Sequence, residues 1–169
     1  MNLPQDTLNE IMKHIDDLPT LMFYCNINKE TLKLCSSKNF WQFKLEPYDL
    51  PMPKNKLSLS QWFKLYSFIM DIDKWLTSDE DVITFDYNNS VGEDKVMPLI
   101  LQYEAYSRSG IPIGNKKYKL RRIGIRRHIH KDSEEYFVSI YFKGMDGYNG
   151  GIFKQGLVQF LYQLQLLHL

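Results

Sequence analysis

Between Leu3 and Leu45 the chain sets out apolar residues at helical spacing in short blocks, each cut off by polar residues after a few turns. Leu8, Ile11, Met12 and Ile15 stand at i, i+3, i+4 and i+7, which puts their side chains on one face of a first helix. Pro4 suits its first turn, where the missing N–H would have had no intrahelical partner, and Asp6 and Glu10 place negative charge near that end. After Asp16-Asp17, Leu18-Pro19 restarts the chain, and Leu21, Met22, Cys25 and Ile27 supply a second short helix. A third starts near Asn28 or Lys29, holds Leu32, Leu34 and Cys35, breaks at Ser36-Ser37, and closes on Phe40, Trp41, Phe43 and Leu45. Three short helices in a row must bury these residues against their own chain or offer them to a partner.

The order Leu3-Pro4, Leu8, Ile11, Ile15, Leu18-Pro19, Leu21, Asn28-Lys29, Leu32 and Phe40-Trp41 with Leu45 resembles an F-box. In that family the helical motif docks substrate receptors on the Skp-type adaptor of cullin-based ubiquitin ligases. The resemblance implies an adaptor gripped by Leu3, Pro4, Leu8, Ile11, Met12, Ile15, Leu18 and Pro19, with a cullin and a target protein as further partners. Lys outnumbers Arg and the chain is rich in Ile, Asn and Tyr. In this it is similar to small F-box proteins of large DNA viruses, which implies a host–virus interaction that redirects degradation.

Pro47, Pro51 and Pro53 fix φ repeatedly and remove backbone donors, so the stretch from Glu46 to Lys56 reads as an extended connector. Ser58 or Ser60 then caps a helix that is apolar nearly all round through Trp62, Phe63, Leu65, Tyr66, Ile69, Met70 and Trp75. From Thr77 the period changes to two. Ile83, Phe85 and Tyr87 alternate with Val82, Thr84 and Asp86; Leu99, Leu101, Tyr103 and Ala105 alternate likewise. Further strands are expected from Tyr118 to Ile129 and from Tyr136 to Phe142. The glycines at 144, 147, 150 and 151 end the last strand, and 152–167 repeats apolar residues at helical spacing. The expectation is an α+β chain: an F-box-like segment over 1–46, connector and bracing helix over 47–76, and over 77–169 an antiparallel sheet of about four strands backed by a C-terminal helix. Neither leucine-rich nor propeller repeats occur.

A formal net charge of +1 gives no global pull toward nucleic acid or membrane, so any such tendency must be local. Cys25 and Cys35 lie inside helical apolar patterns, which suits reduced, buried thiols in an intracellular compartment, cytoplasmic or nuclear. No segment reaches the run of apolar residues needed to span a membrane, and no membrane partner is expected.

The conspicuous chemical feature is the basic run from Lys116 to Lys131, uninterrupted by acid. With period two, Ile123, Ile125 and Ile129 share one face, and Arg122, Arg126, His128 and His130 share the other as a cationic stripe for an acidic target segment or nucleic-acid phosphates. Tyr118, Tyr136 and Tyr141 offer stacking surfaces. Arg121 and Arg127 have the apolar parity and must sit at the strand ends or snorkel. The bland reading is a solvated face whose charges block edge pairing. His128-x-His130 has metal-site spacing without a third ligand, and no phosphate loop, dinucleotide fingerprint or cysteine–histidine pair is present. The expectation is therefore a binding protein, not an enzyme, with no catalytic residue, metal or cofactor.

Overall fold

The caps written into the N-terminal segment set its helix boundaries. The computed structural model describes residues 4–87, 91–103, 106–107, 118–130, 133–143 and 148–169; Leu3, Ala105, Lys116, Lys117, Lys131 and the glycines at 144 and 147 lie outside them. The chain forms two compact units, Met1–Phe68 and Ile69–Leu169.

In the first unit, α1 spans Gln5–Lys13, α2 Leu18–Cys25, α3 Lys29–Cys35 and α4 Lys38–Leu45. Asp17 caps α2 by accepting from the Thr20 N–H at 2.8 Å. Asn28 caps α3 reciprocally: its side-chain oxygen accepts from the Glu30 and Thr31 amides, and the Thr31 hydroxyl accepts from the Asn28 N–H. Ser37 accepts from the Phe40 N–H at 3.3 Å and so opens a fourth helix where the sequence reading has only the close of the third. A short 3-10 turn, Glu46–Tyr48, follows, and α5, Leu59–Leu76, starts at Ser58, whose hydroxyl accepts from the Gln61 amide.

Trp41 organises this unit. It is fully buried, stacks on Trp62 with ring centroids 5.1 Å apart, and meets Phe40, Phe63 and Tyr66 edge-on. Its indole N–H donates to the Cys35 carbonyl at 2.6 Å. Cys25 and Cys35 end α2 and α3, which pack together with Cα atoms 5.8 Å apart, and the two are joined as a disulfide. The expectation of reduced thiols is corrected here, because α2 and α3 pack so that the last residue of each comes within bridging distance of the other.

In the second unit the α+β architecture is as expected. β1 is Val82–Asp86, β2 Tyr106–Ser107, β3 Lys119–His130, β4 Ser133–Lys143 and β5 Tyr148–Phe153, in the order β1-β3-β4-β5-β2, antiparallel at every pairing. Three of the four expected strands form. The other, centred on Leu99, is instead the helix α6, Glu93–Gln102: Val96 and Ile100 are buried one turn apart, and that spacing prevails over the local alternation despite Pro98 inside the helix. Gly150 and Gly151 do not end the sheet but pair within β5, against β4 and β2, so α7 begins only at Lys154 and runs to His168.

One sheet face is covered. Leu120, Ile123 and Ile125 of β3 and Tyr136, Val138, Ile140 and Phe142 of β4 are buried there, together with Leu157, Phe160, Leu161 and Leu164 of α7. Trp75, near the end of α5, lies 5.7 Å from the Tyr136 ring.

Two predictions follow from this packing. Trp41→Ala removes the ring around which the first unit packs and should cost about 3–5 kcal/mol, read as a lower denaturant midpoint. Burial raises the pKa of Tyr87 and Tyr162 above the ordinary 10. Their stabilising contribution is then complete below about pH 10, where an unfolded tyrosine titrates, and is lost as pH rises through the folded values. The Tyr87 hydroxyl has no hydrogen-bond partner among the described residues. Tyr87→Phe should therefore leave the urea midpoint at pH 7 unlowered and move the alkaline loss of stability to higher pH.

Candidate anion-binding face

The chemistry of the second sheet face follows from one irregularity in β3. Leu120 stands opposite Phe142 and Arg122 opposite Tyr141, so Arg121 is the extra residue of a bulge. Its carbonyl accepts from the Tyr87 N–H at 2.8 Å. The bulge resets the alternation: Leu120, Ile123 and Ile125 all turn inward, while Arg121 and Arg122 are both exposed. Arg121 thus escapes the apolar parity that the sequence assigns it.

Arg127 keeps that parity and uses it. Its guanidinium donates to the carbonyls of Ser78 and Trp75 at 2.8 Å and of Leu76 at 3.1 Å, and lies over the Trp75 ring at 5.1 Å. These carbonyls lie at and just past the end of α5; that of Trp75 also accepts from the Ser78 N–H at 3.1 Å and from the Ser78 hydroxyl at 2.9 Å.

The outward side chains form cross-strand rows. Thr84, Gly124 and Ser139 make a floor of small residues; Val82, Arg126 and Phe137 stand on one side of it, and Asp86, Arg122 and Tyr141 on the other. All of these but Asp86 line a trough of about 740 Å³, which His128 also borders. Val82 is 45 % exposed and Tyr141 43 %, so apolar and aromatic surface lies open beside the cations. Arg122 donates from Nε to Asp86 Oδ1 at 2.7 Å, which holds the Asp86 carboxyl below its usual range and raises the guanidinium further. Both partners are solvent-exposed, so the pair contributes little stability. Arg126 has no acidic partner among the described residues. The His128 ring meets Phe137 edge-on at 5.4 Å, with Glu135 opposite it in the register. At the other end Lys119 faces Lys143 across the strands, both exposed.

The structure therefore brings Arg122, Arg126 and His128 to one face; His130 is the last residue of β3. Of the expected stacking residues, Tyr141 is on this face, Tyr118 is half-buried at the start of the strand, and Tyr136 is buried on the covered face. Phe137, which sequence reasoning passed over, shares the open face. The signal for it was present: with Val138, Ile140 and Phe142 inward, the alternation puts Phe137 outward. The face offers guanidinium groups, hydroxyls and ring surfaces. No group of three or more His, Cys, Asp or Glu able to hold a metal occurs among the described residues.

The expected adaptor contacts divide by exposure. Pro4, Ile11 and Pro19 are exposed, and Leu8, Ile15 and Leu18 are half-buried. Met12 is fully buried in its own unit, so its expected place among the contacts is corrected: in α1 it faces inward with the core. Met22, Ile27 and Leu32 are also exposed, as is Phe23 at 66 %. Among the described residues no helix is long and apolar enough to cross a membrane. Comparison with family models, curated proteins and solved structures returns no match, so the F-box resemblance rests on the residues themselves.

Arg127→Ala should remove the guanidinium donor from the Leu76 and Ser78 carbonyls and lower stability by about 1.5–3 kcal/mol, the range for hydrogen bonds to a charged group, measured by urea unfolding at neutral pH.

Proposed function

We propose that this chain is a non-enzymatic substrate receptor of a cullin-based ubiquitin ligase, in which the first unit docks on a Skp-type adaptor and the second holds a target protein. The observation that carries this reading is the exposure of large apolar side chains on a unit that already has a core. With Trp41, Leu21 and Leu45 buried, Ile11, Met22, Phe23, Ile27 and Leu32 still face solvent on short helices. The chain itself does no chemistry. Holding the target beside the ligase raises its effective concentration, and other subunits transfer ubiquitin. The protein works inside cells, in cytoplasm or nucleus, and in the host cell if the chain is viral.

A second reading is favoured by the trough: a binding module that contacts nucleic acid or an acidic protein through β3. Arg122 and Arg126 share one open face with aromatic surface, the arrangement that a polyanion needs.

The docking reading is tested by titrating a purified Skp-type adaptor into the full-length chain and into a Pro4→Ala, Ile11→Asp variant whose fold is verified by circular dichroism. Wild type should bind with an affinity little changed by salt, as an apolar interface requires, and the variant should bind roughly tenfold or more weakly. A folded wild type that does not bind the adaptor overturns the reading.

A further inference from the structure

We infer that the open face of the sheet binds single-stranded nucleic acid, with bases stacked on Tyr141 and Phe137 and phosphates held by Arg122 and Arg126. This rests on the reading of the trough as a binding face and names its ligand. The register sets Tyr141 opposite Arg122 and Phe137 opposite Arg126, so an aromatic–guanidinium pair occurs twice along the strands, separated by the small row of Thr84, Gly124 and Ser139. The two pairs are four residues apart, roughly 13 Å at the rise of an extended strand. Base stacking tolerates any sequence because every base has a π-face, and each base carries a phosphate beside it along the strand, as each ring here has a guanidinium opposite it.

An acidic peptide fits the same face less well. The backbone of β3 and β4 is paired on both sides, so a peptide lying across the face finds no main-chain partners and must satisfy its own amides with the Thr84 and Ser139 hydroxyls. A nucleic-acid strand carries no such row of obligatory donors. A duplex hides its base faces and leaves the aromatic rings nothing to stack on. Charge complementarity points the same way. Arg126, on the trough, has no acidic partner among the described residues and so offers its charge to a phosphate. The floor has room to be altered: a Cβ built at Gly124 meets only a Thr84 methyl at 3.8 Å.

The test is fluorescence anisotropy of the full-length chain with a short labelled oligo-thymidine strand, its duplex with oligo-adenosine, and a labelled polyglutamate peptide. The single strand should bind more tightly than either other probe, with log K falling linearly in log salt. Tyr141→Ala should weaken binding about fivefold or more at unchanged salt slope. Arg126→Ala should weaken it and flatten the slope by about 0.7, one phosphate's share for a single strand. Gly124→Val, which fills the floor and keeps every charge, should weaken it as well. Lys64→Ala, exposed on α5 in the first unit, should leave it unchanged. Absence of oligo-thymidine binding overturns the inference. So does a duplex bound as tightly as the single strand with Tyr141→Ala silent, because that is phosphate attraction alone. Tighter binding of polyglutamate, lost in Arg126→Ala, also overturns it while leaving the binding-face reading intact; binding of none of the probes removes both.

Discussion

Arg127 closes the end of α5, and the composition of both sheet faces depends on that contact. A helix that ends beside a packed core leaves its last carbonyls without donors. Here Ser78 donates to that of Trp75, and a guanidinium from a strand some fifty residues further on donates to those of Trp75, Leu76 and Ser78. To reach them Arg127 must point to the covered face. Because strand side chains alternate, that one commitment sends Ile125 and Ile123 inward and Arg126, His128 and Arg122 outward. A register slip of one residue would reverse every one of these, burying two arginines and exposing two isoleucines. The bulge at Arg121 completes the arrangement by letting Leu120 also turn inward.

The first unit uses the same device. Lys44 is almost fully buried, and its ammonium donates to the carbonyls of Lys13 and Ile15, each at 2.6 Å, where α1 ends, with Asp16 Oδ1 at 3.8 Å and the Tyr66 ring beneath it at 5.7 Å. Burial lowers its pKa below the ordinary lysine range, and the charge of Asp16 opposes that shift. Hydrogen bonds from a charged donor to helix carbonyls offset the desolvation of the ammonium, and the aliphatic stem packs as an apolar side chain. In both units, then, a cation from a distant element does what a local glycine cap does in many helices.

Neither closure was legible in the sequence, because each joins residues far apart along the chain and a lone Lys or Arg carries no sign of its partner. What was legible had a local cause. The period-two runs of β1, β3 and β4, the cap at Ser58 and the outward parity of Arg122, Arg126 and His128 are short-range patterns, and the structure has them. Where two local patterns competed, as at Leu99, burial of Val96 and Ile100 decided for the helix. The glycines of β5 read as a terminus because backbone pairing, not side-chain pattern, holds that strand in the sheet. Ser37 divides the third helix from the fourth by one hydrogen bond to Phe40, a cap that sequence alone reads equally well as a break.

The bland account of the basic run was that charge guards an exposed edge against strand pairing. Topology removes the reason for such a guard. Over residues 122–126 β3 is flanked by β1 and β4 and its backbone groups are used on both sides, and of the two edge strands the one beside it, β1, carries Val82, Thr84 and Asp86 outward and no cation. Solubility alone is served by charges of mixed sign, whereas here Arg121, Arg122 and Arg126 gather on one strand with Asp86 and Glu135 as the nearest outward acids. Open aromatic surface at Tyr141 and apolar surface at Val82 work against solubility as well. Concentrated like charge and exposed rings each cost the isolated protein something, and a partner that is both anionic and planar relieves the two costs together.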